Sequence, residues 1–217
     1  MMCKKKGWQF MKKIFLTSYF AGTSAIFQQF ISTIKIDDRK VLYIPTASAV
    51  EEYTGYIDEG KKALEILGFT IDEFDIAQND ENEAFAKIAS AKILFIAGGN
   101  TFYLLQELKN KHLLQPIRER INNGLPYIGE SAGAIILAPS IEYNKIMDSP
   151  SVAPTLTDYT SLDVVDFYTL PHYIEAPFTK TVQETFKTYK NKLNLVPINN
   201  SEAIVITDKG HSIVRQP

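Results

Sequence analysis

In the run Leu125-Pro126-Tyr127-Ile128-Gly129-Glu130-Ser131-Ala132-Gly133-Ala134-Ile135-Ile136-Leu137-Ala138, an apolar segment meets Gly-x-Ser-x-Gly and then a second apolar segment. The first segment reads as a short buried strand and the last as the start of a helix. A serine at a sharp strand-to-helix turn projects its hydroxyl above the sheet and strains its own backbone. Glycines two positions either side let neighbouring chain pack against that turn. The following helix aims amide N–H groups at the same spot, where they can hold an oxyanion. The alternative is a glycine-rich turn that merely starts a helix.

Outward from this turn, short β-branched and aromatic runs alternate with helical patterns. Strands are predicted at Ile14–Thr17, Val41–Ile44, Phe69–Phe74, Ile93–Ile96 and Pro126–Ile128. Between them, helices are predicted over Ala25–Ile34, Glu51–Leu67, Glu83–Ala89, Thr101–Lys109 and Gln115–Asn123. This alternation predicts an α/β fold: a parallel sheet with helices on both faces, three layers in all. Residues 139–166 lose periodicity and carry Pro139, Pro150 and Pro154, so a long loop is expected. Strand Phe167–Leu170, a helix over Thr179–Lys192 and closing strands Leu195–Pro197, Ala203–Thr207 and Ser212–Val214 complete the pattern.

Composition narrows the function. The chain has 217 residues, enough for one α/β domain, taken as residues 11–217 behind an N-terminal extension over 1–10. With 45% apolar and 22% charged residues it reads as an ordinary globular protein. A net charge of −2 without a basic block gives nucleic-acid or membrane-surface binding no electrostatic support. The lone Cys3 excludes a disulfide framework, and His112, His172 and His211 are too scattered for a histidine metal site. Lys12 and Lys13 interrupt any signal-length apolar run, so a cytoplasmic location is expected. No metal or cofactor is expected, and a monomer or a homodimer would both fit.

A serine needs a base to become a useful nucleophile. His172, in Leu170-Pro171-His172-Tyr173, follows a predicted strand and is the candidate; strand carboxyl ends are where sites form in parallel sheets. The alternative is a histidine that caps a loop. His112 follows a lysine-rich helix and His211 lies in a terminal turn. The base needs an orienting carboxylate. Glu202, opening a strand after the histidine, and Asp148, in Met147-Asp148-Ser149-Pro150, are the candidates, and spacing alone does not choose. Glu130 is adjacent to the serine and points elsewhere, where it can influence substrate charge. Ala97-Gly98-Gly99-Asn100-Thr101 follows an apolar strand and starts a helix, with Asn100 or Thr101 as N-cap. It can supply a second oxyanion donor beside Ala132. A phosphate cradle is the competing use, but no Gly-Lys-Ser/Thr follows.

Three segments, Gly98-Gly99-Asn100-Thr101-Phe102, Gly129-Glu130-Ser131-Ala132-Gly133-Ala134 and Pro171-His172-Tyr173, resemble in order and spacing the peptidase E family. This is the aspartyl dipeptidase family of serine peptidases, related to cyanophycinases. The resemblance runs from Met11 onward. It implies a fold like class I glutamine amidotransferase domains (flavodoxin-like) and metal-free cleavage of dipeptides with N-terminal aspartate. It implies Ser131 as nucleophile, His172 as base, Glu202 as triad acid, Asp148 as a further active-site residue, and Gly99 and Ala132 as oxyanion donors. Gly98, Asn100 and Glu130 are then expected to meet substrate. Glu130 stands where family members carry a bulky aromatic, and an acid there repels an aspartyl carboxylate unless a cation offsets it. No arginine lies between Arg120 and Arg215, and Lys145 and Lys180 are the nearest cations in sequence to the motifs. The other readings are a related serine hydrolase acting on another peptide or a β-aspartyl link, and a non-catalytic small-molecule-binding domain of this fold.

Overall fold

The computed structural model describes residues 12–208 and 210–215; the extension expected over residues 1–10, with Cys3, lies outside them. From the N-terminal side, β1 (Ile14–Thr17), α1 (Ser24–Ser32), β2 (Lys40–Ile44), α2 (Gly55–Ile66) and β3 (Thr70–Glu73) come first. Next are α3 (Glu81–Ser90), β4 (Leu94–Ile96), α4 (Thr101–Asn110), α5 (Leu114–Asn122) and β5 (Tyr127–Glu130). A helical turn α6 (Ala132–Ile135), β6 (Tyr168–Leu170), α7 (Thr179–Tyr189), β7 (Leu195–Pro197), β8 (Glu202–Thr207) and β9 (Gly210–Arg215) follow.

Seven strands form one sheet in the order β3-β2-β4-β5-β1-β8-β9. The first five are mutually parallel, as βαβ connections require. The closing strands differ: β8 runs antiparallel to β1, and β9 antiparallel to β8. Thr207 pairs with Gly210, and so short a connection can join only antiparallel strands. β6 and β7 pair in a separate parallel ribbon. The sheet is therefore mostly parallel, with an antiparallel edge.

Strand period decides the layers. In β1, Ile14 and Leu16 face one apolar cluster and Phe15 the other; in β4, Leu94 and Ile96 oppose Phe95. One face is covered by α3, α4 and α5 through residues such as Ile88, Leu105 and Ile117. The opposite face receives α1 and α2, where Phe15, Phe20, Phe27 and Phe95 meet edge to face at 5.1–6.4 Å. Each such ring or aliphatic chain fully buried contributes roughly 1.5–3 kcal/mol.

The helix expected over 51–67 starts only at Gly55, after Thr54. Residues 51–54 have no apolar face to cover, and Tyr53 is 69% exposed. The aperiodic segment 139–166 folds into two short 3₁₀ turns, Glu142–Ile146 and Pro150–Val152. Polar ties hold it down: Arg118 Nε donates to Leu162 O at 2.6 Å, and Asn100 Nδ2 to Ser149 O at 3.1 Å. No helix among the described residues is long and apolar enough to cross a membrane.

Candidate active site

The carboxyl ends of β1, β4 and β5 meet at one place, and Ser131 stands directly after β5. Its φ of 48° and ψ of −104° lie outside the regions that L-residues favour. Such a conformation costs about 1–3 kcal/mol and needs its surroundings to hold it. They do so in two ways. The Ser131 N–H donates to Thr17 O at 2.9 Å, and its carbonyl accepts from Ala134 and Ile135 N–H groups. The flanking glycines admit the neighbouring chain: a Cβ on Gly129 would sit 2.4 Å from Gly133 O, and one on Gly133 would sit 2.0 Å from Ile96 O. The motif glycines are thus a steric condition for the turn.

His172 reaches the same place from the small β6–β7 ribbon. Its backbone, at φ 58°, is pinned by donation of its N–H to Ser18 Oγ at 3.0 Å. Ser18 Oγ in turn donates to Ile198 O at 2.9 Å. The imidazole stacks on Phe178 at 4.4 Å and 24°. Nε2 lies 2.9 Å from Ser131 Oγ, and Nδ1 lies 3.2 Å from Asn200 Oδ1. An amide oxygen only accepts, so Nδ1 carries the ring proton and Nε2 presents its lone pair to the serine hydroxyl. That is the tautomer a general base requires. Burial holds the imidazole below its usual pKa and keeps it neutral.

The group on Nδ1 is therefore Asn200, and neither expected carboxylate occupies that position. Glu202 Oε2 accepts from Asn199 N–H at 3.0 Å, and Oε1 accepts from Arg215 Nε at 2.5 Å. Glu202 opens β8 as expected, but it braces the turn that presents Asn200. Glu175 holds the other side of that turn, accepting from Asn200 N–H at 3.3 Å. Asp148 sits at the N-terminus of α4: its Oδ2 accepts from Thr101 N–H and Oγ1 at 2.8 and 2.7 Å, and from Asn144 Nδ2 at 2.8 Å. Burial raises its pKa, against the pull of these three donors. Asn200 carries an amide where a carboxylate was expected. The available signal was Asn199-Asn200-Ser201, a polar turn entering a strand.

Gly99 and Ala132 flank the serine. Gly99 has φ 129°, and a Cβ there would lie 2.2 Å from Ala47 O, so only glycine fits. Ala132 is the first residue of α6, and an N–H at that position has no partner within the helix. Gly98 touches the site directly, since a Cβ on it would sit 3.3 Å from Ser131 Cβ. Asn100 has a different task from the expected substrate contact. Its Oδ1 caps α4 by accepting from Phe102 and Tyr103 N–H groups at 3.0 and 3.1 Å. Its Nδ2 is on Ser149 O, so the side chain is occupied.

Glu130 is 1% exposed. Its Oε1 accepts from Phe20 N–H at 2.8 Å, and Gly98 N–H also donates to the carboxylate. Burial nevertheless pushes its pKa up to about 7. Ser131, His172, Asn200, Gly98, Gly99, Glu130 and Asp148 all border one cavity of about 430 Å³. No group of three His, Cys, Asp or Glu among the described residues is placed to hold a metal ion. The arrangement is suited to acyl transfer through a serine.

Comparison with known proteins finds peptidases. Residues 14–214 match peptidase family S51. The uncharacterized peptidase Lmo0363 of Listeria monocytogenes is 46% identical over 199 residues, covering 92% of this chain and 96% of that protein. A peptidase E of Nostoc is 31% identical over 138 residues, 64% of this chain and 54% of the relative. A solved structure provisionally assigned to peptidase E, from L. monocytogenes EGD-e, superposes with a TM-score of 0.89 at 44% identity, covering 95% of this chain and 100% of that one. A peptidase from an acI-B1 actinobacterium shares the fold at 19% identity and a TM-score of 0.67, over 96% and 89% of the two chains.

Proposed function

The chain belongs to peptidase family S51 and is a peptidase; on that footing we propose that it is a serine-type dipeptidase with Ser131 as nucleophile and His172 as general base. The observation that carries this reading is the 2.9 Å approach of Ser131 Oγ to His172 Nε2 at a strained strand–helix turn. In this reading His172 takes the hydroxyl proton as Ser131 attacks the scissile carbonyl. The Gly99 and Ala132 N–H groups receive the developing oxyanion. His172 then gives its proton to the leaving amine, and a water deprotonated by the same ring releases the acyl group. Asn200 keeps the ring in the required tautomer, a role the family resemblance had assigned to Glu202.

Asp-X dipeptides are the substrates that the peptidase E resemblance implies, and Asp-X, Lys-X, Leu-X and β-Asp-X peptides under chelator make the test. Ser131→Ala is expected to lower turnover of the best substrate by about 10⁴-fold or more, with an unchanged circular dichroism spectrum. His172→Ala is expected to do nearly the same, because the two groups act as a unit. Turnover that survives in Ser131→Ala removes the assignment.

A further inference from the structure

Four carboxylates, Glu51, Glu59, Glu130 and Asp148, border the cavity that holds Ser131, and no lysine or arginine among the described residues does. Glu130 is the innermost. It is 1% exposed, and its Oε2 is buried without a hydrogen-bond partner. The Tyr56 hydroxyl, on the same wall, is likewise buried and unpartnered. A buried acceptor with nothing on it is costly and is the position where a donor from a ligand gains most. Glu51 and Asp148 act on one another, the charge of Asp148 helping burial to raise Glu51. Glu59 is tied to the wall by Tyr19 Oη at 2.6 Å.

Like charges that share a cavity favour a cation between them and repel an anion. The cation is not a metal ion, since no three of these groups are close enough to coordinate one. The remaining walls are aromatic and apolar, from Tyr53, Phe178, Ile135 and Met147. Such walls suit the methylene stem of a long side chain whose charged head seeks carboxylates.

We propose that this cavity takes peptides with a positively charged N-terminal side chain, Lys or Arg, in preference to an uncharged one, and rejects N-terminal Asp and Glu. Glu130 and Glu51 are its specificity-determining residues. The proposal rests on Ser131 marking the scissile bond, so its test reads binding as well as turnover. Ser131→Ala protein is titrated calorimetrically at about pH 8, above the raised pKa of Glu130, with Lys-Leu, Leu-Leu and Asp-Leu. Lys-Leu is expected to bind at least tenfold more tightly than Asp-Leu, with Leu-Leu between them. In the Glu51→Gln and Glu130→Gln backgrounds the gap between Lys-Leu and Asp-Leu is expected to narrow. Glu51 is exposed, so its variant is expected to fold even if Glu130→Gln does not. Asp-Leu binding as tightly as Lys-Leu, no dipeptide binding at millimolar concentration, or a gap unchanged in Glu51→Gln overturns the proposal. If the binding order holds and wild-type protein cleaves none of the three, the nucleophile reading fails and the charge preference stands.

Discussion

Asn200 is neutral, and this governs how His172 titrates. A carboxylate on Nδ1 would stabilise the imidazolium and raise its pKa; an amide oxygen orients the ring without that charge. Burial acts alone in lowering His172, opposed only by the Asn200 hydrogen bond and the more distant Glu175 charge. Asn200→Asp is therefore expected to move the acidic limb of the kcat/KM profile to higher pH. Asn200→Ala is expected to lower kcat between about 10²- and 10⁴-fold, the span of general-base contributions, with the thermal midpoint little changed. A profile whose acidic limb is identical in wild type and Asn200→Asp would show that Asn200 does not act on the ring. The serine and histidine were legible in the sequence because a strand–turn–helix glycine pattern and a histidine after a strand are local signals. Asn200 was not legible, because its role depends on a turn that Glu202 braces from within, itself held by Arg215 of β9, and that Glu175 holds from 25 residues earlier in the chain.

At the level of elements, the turn around Ser131 and the one at Gly99 are fixed by backbone meeting backbone. A methyl on Gly133 would lie 2.0 Å from Ile96 O, and one on Gly99 would lie 2.2 Å from Ala47 O. Ile96 ends β4 and cannot yield without breaking sheet pairing, and Ala47, in the 3₁₀ turn Thr46–Val50 after β2, is held by donation of Asn100 N–H to its carbonyl at 2.8 Å. Gly133→Ala and Gly99→Ala are each expected to lose about 3 kcal/mol or more in urea denaturation, the upper end of overpacking costs. Gly98→Ala meets the Ser131 and Tyr56 side chains at 3.3 and 3.4 Å, with the nearest backbone atom, Glu130 O, at a comfortable 3.8 Å, and is expected to spare stability while displacing the serine. Equal midpoints for Gly133→Ala and wild type would refute this steric account. The same local rigidity explains which elements could be read in advance. The apolar runs Ile14–Leu16, Val41–Ile44 and Leu94–Ile96 of β1, β2 and β4 could be read because both faces are covered, and α4 announced itself through Asn100. The late start of α2 and the antiparallel pairing of β8 with β1 were not readable. Each depends on what lies opposite in space, and a single window of sequence does not contain that.

At the scale of the whole molecule, Glu130 joins three strand ends beneath the site. It is the last residue of β5, pairs in register with Thr17 of β1, and accepts N–H groups from Phe20, after β1, and Gly98, after β4. Burial raises its pKa from 4.5 to about 7, so the folded protein holds this proton more tightly than the unfolded chain. The sign follows: the contribution is complete below the unfolded pKa of 4.5 and is lost as pH rises through about 7. Across that window the full swing is on the order of 3 kcal/mol. His172 acts oppositely, since its lowered pKa takes stability away as pH falls, so the wild-type curve alone mixes the two. The difference between wild type and Glu130→Gln isolates the carboxyl, because glutamine keeps one acceptor oxygen for Phe20 and Gly98 and cannot ionise. Glu130→Gln is expected to gain on wild type in urea midpoints as pH rises from 5 to about 7, and to hold that gain to pH 8. A constant offset across that range would mean that Glu130 ionises as readily in the folded protein as in the unfolded chain, and that its burial beneath the site carries no electrostatic cost.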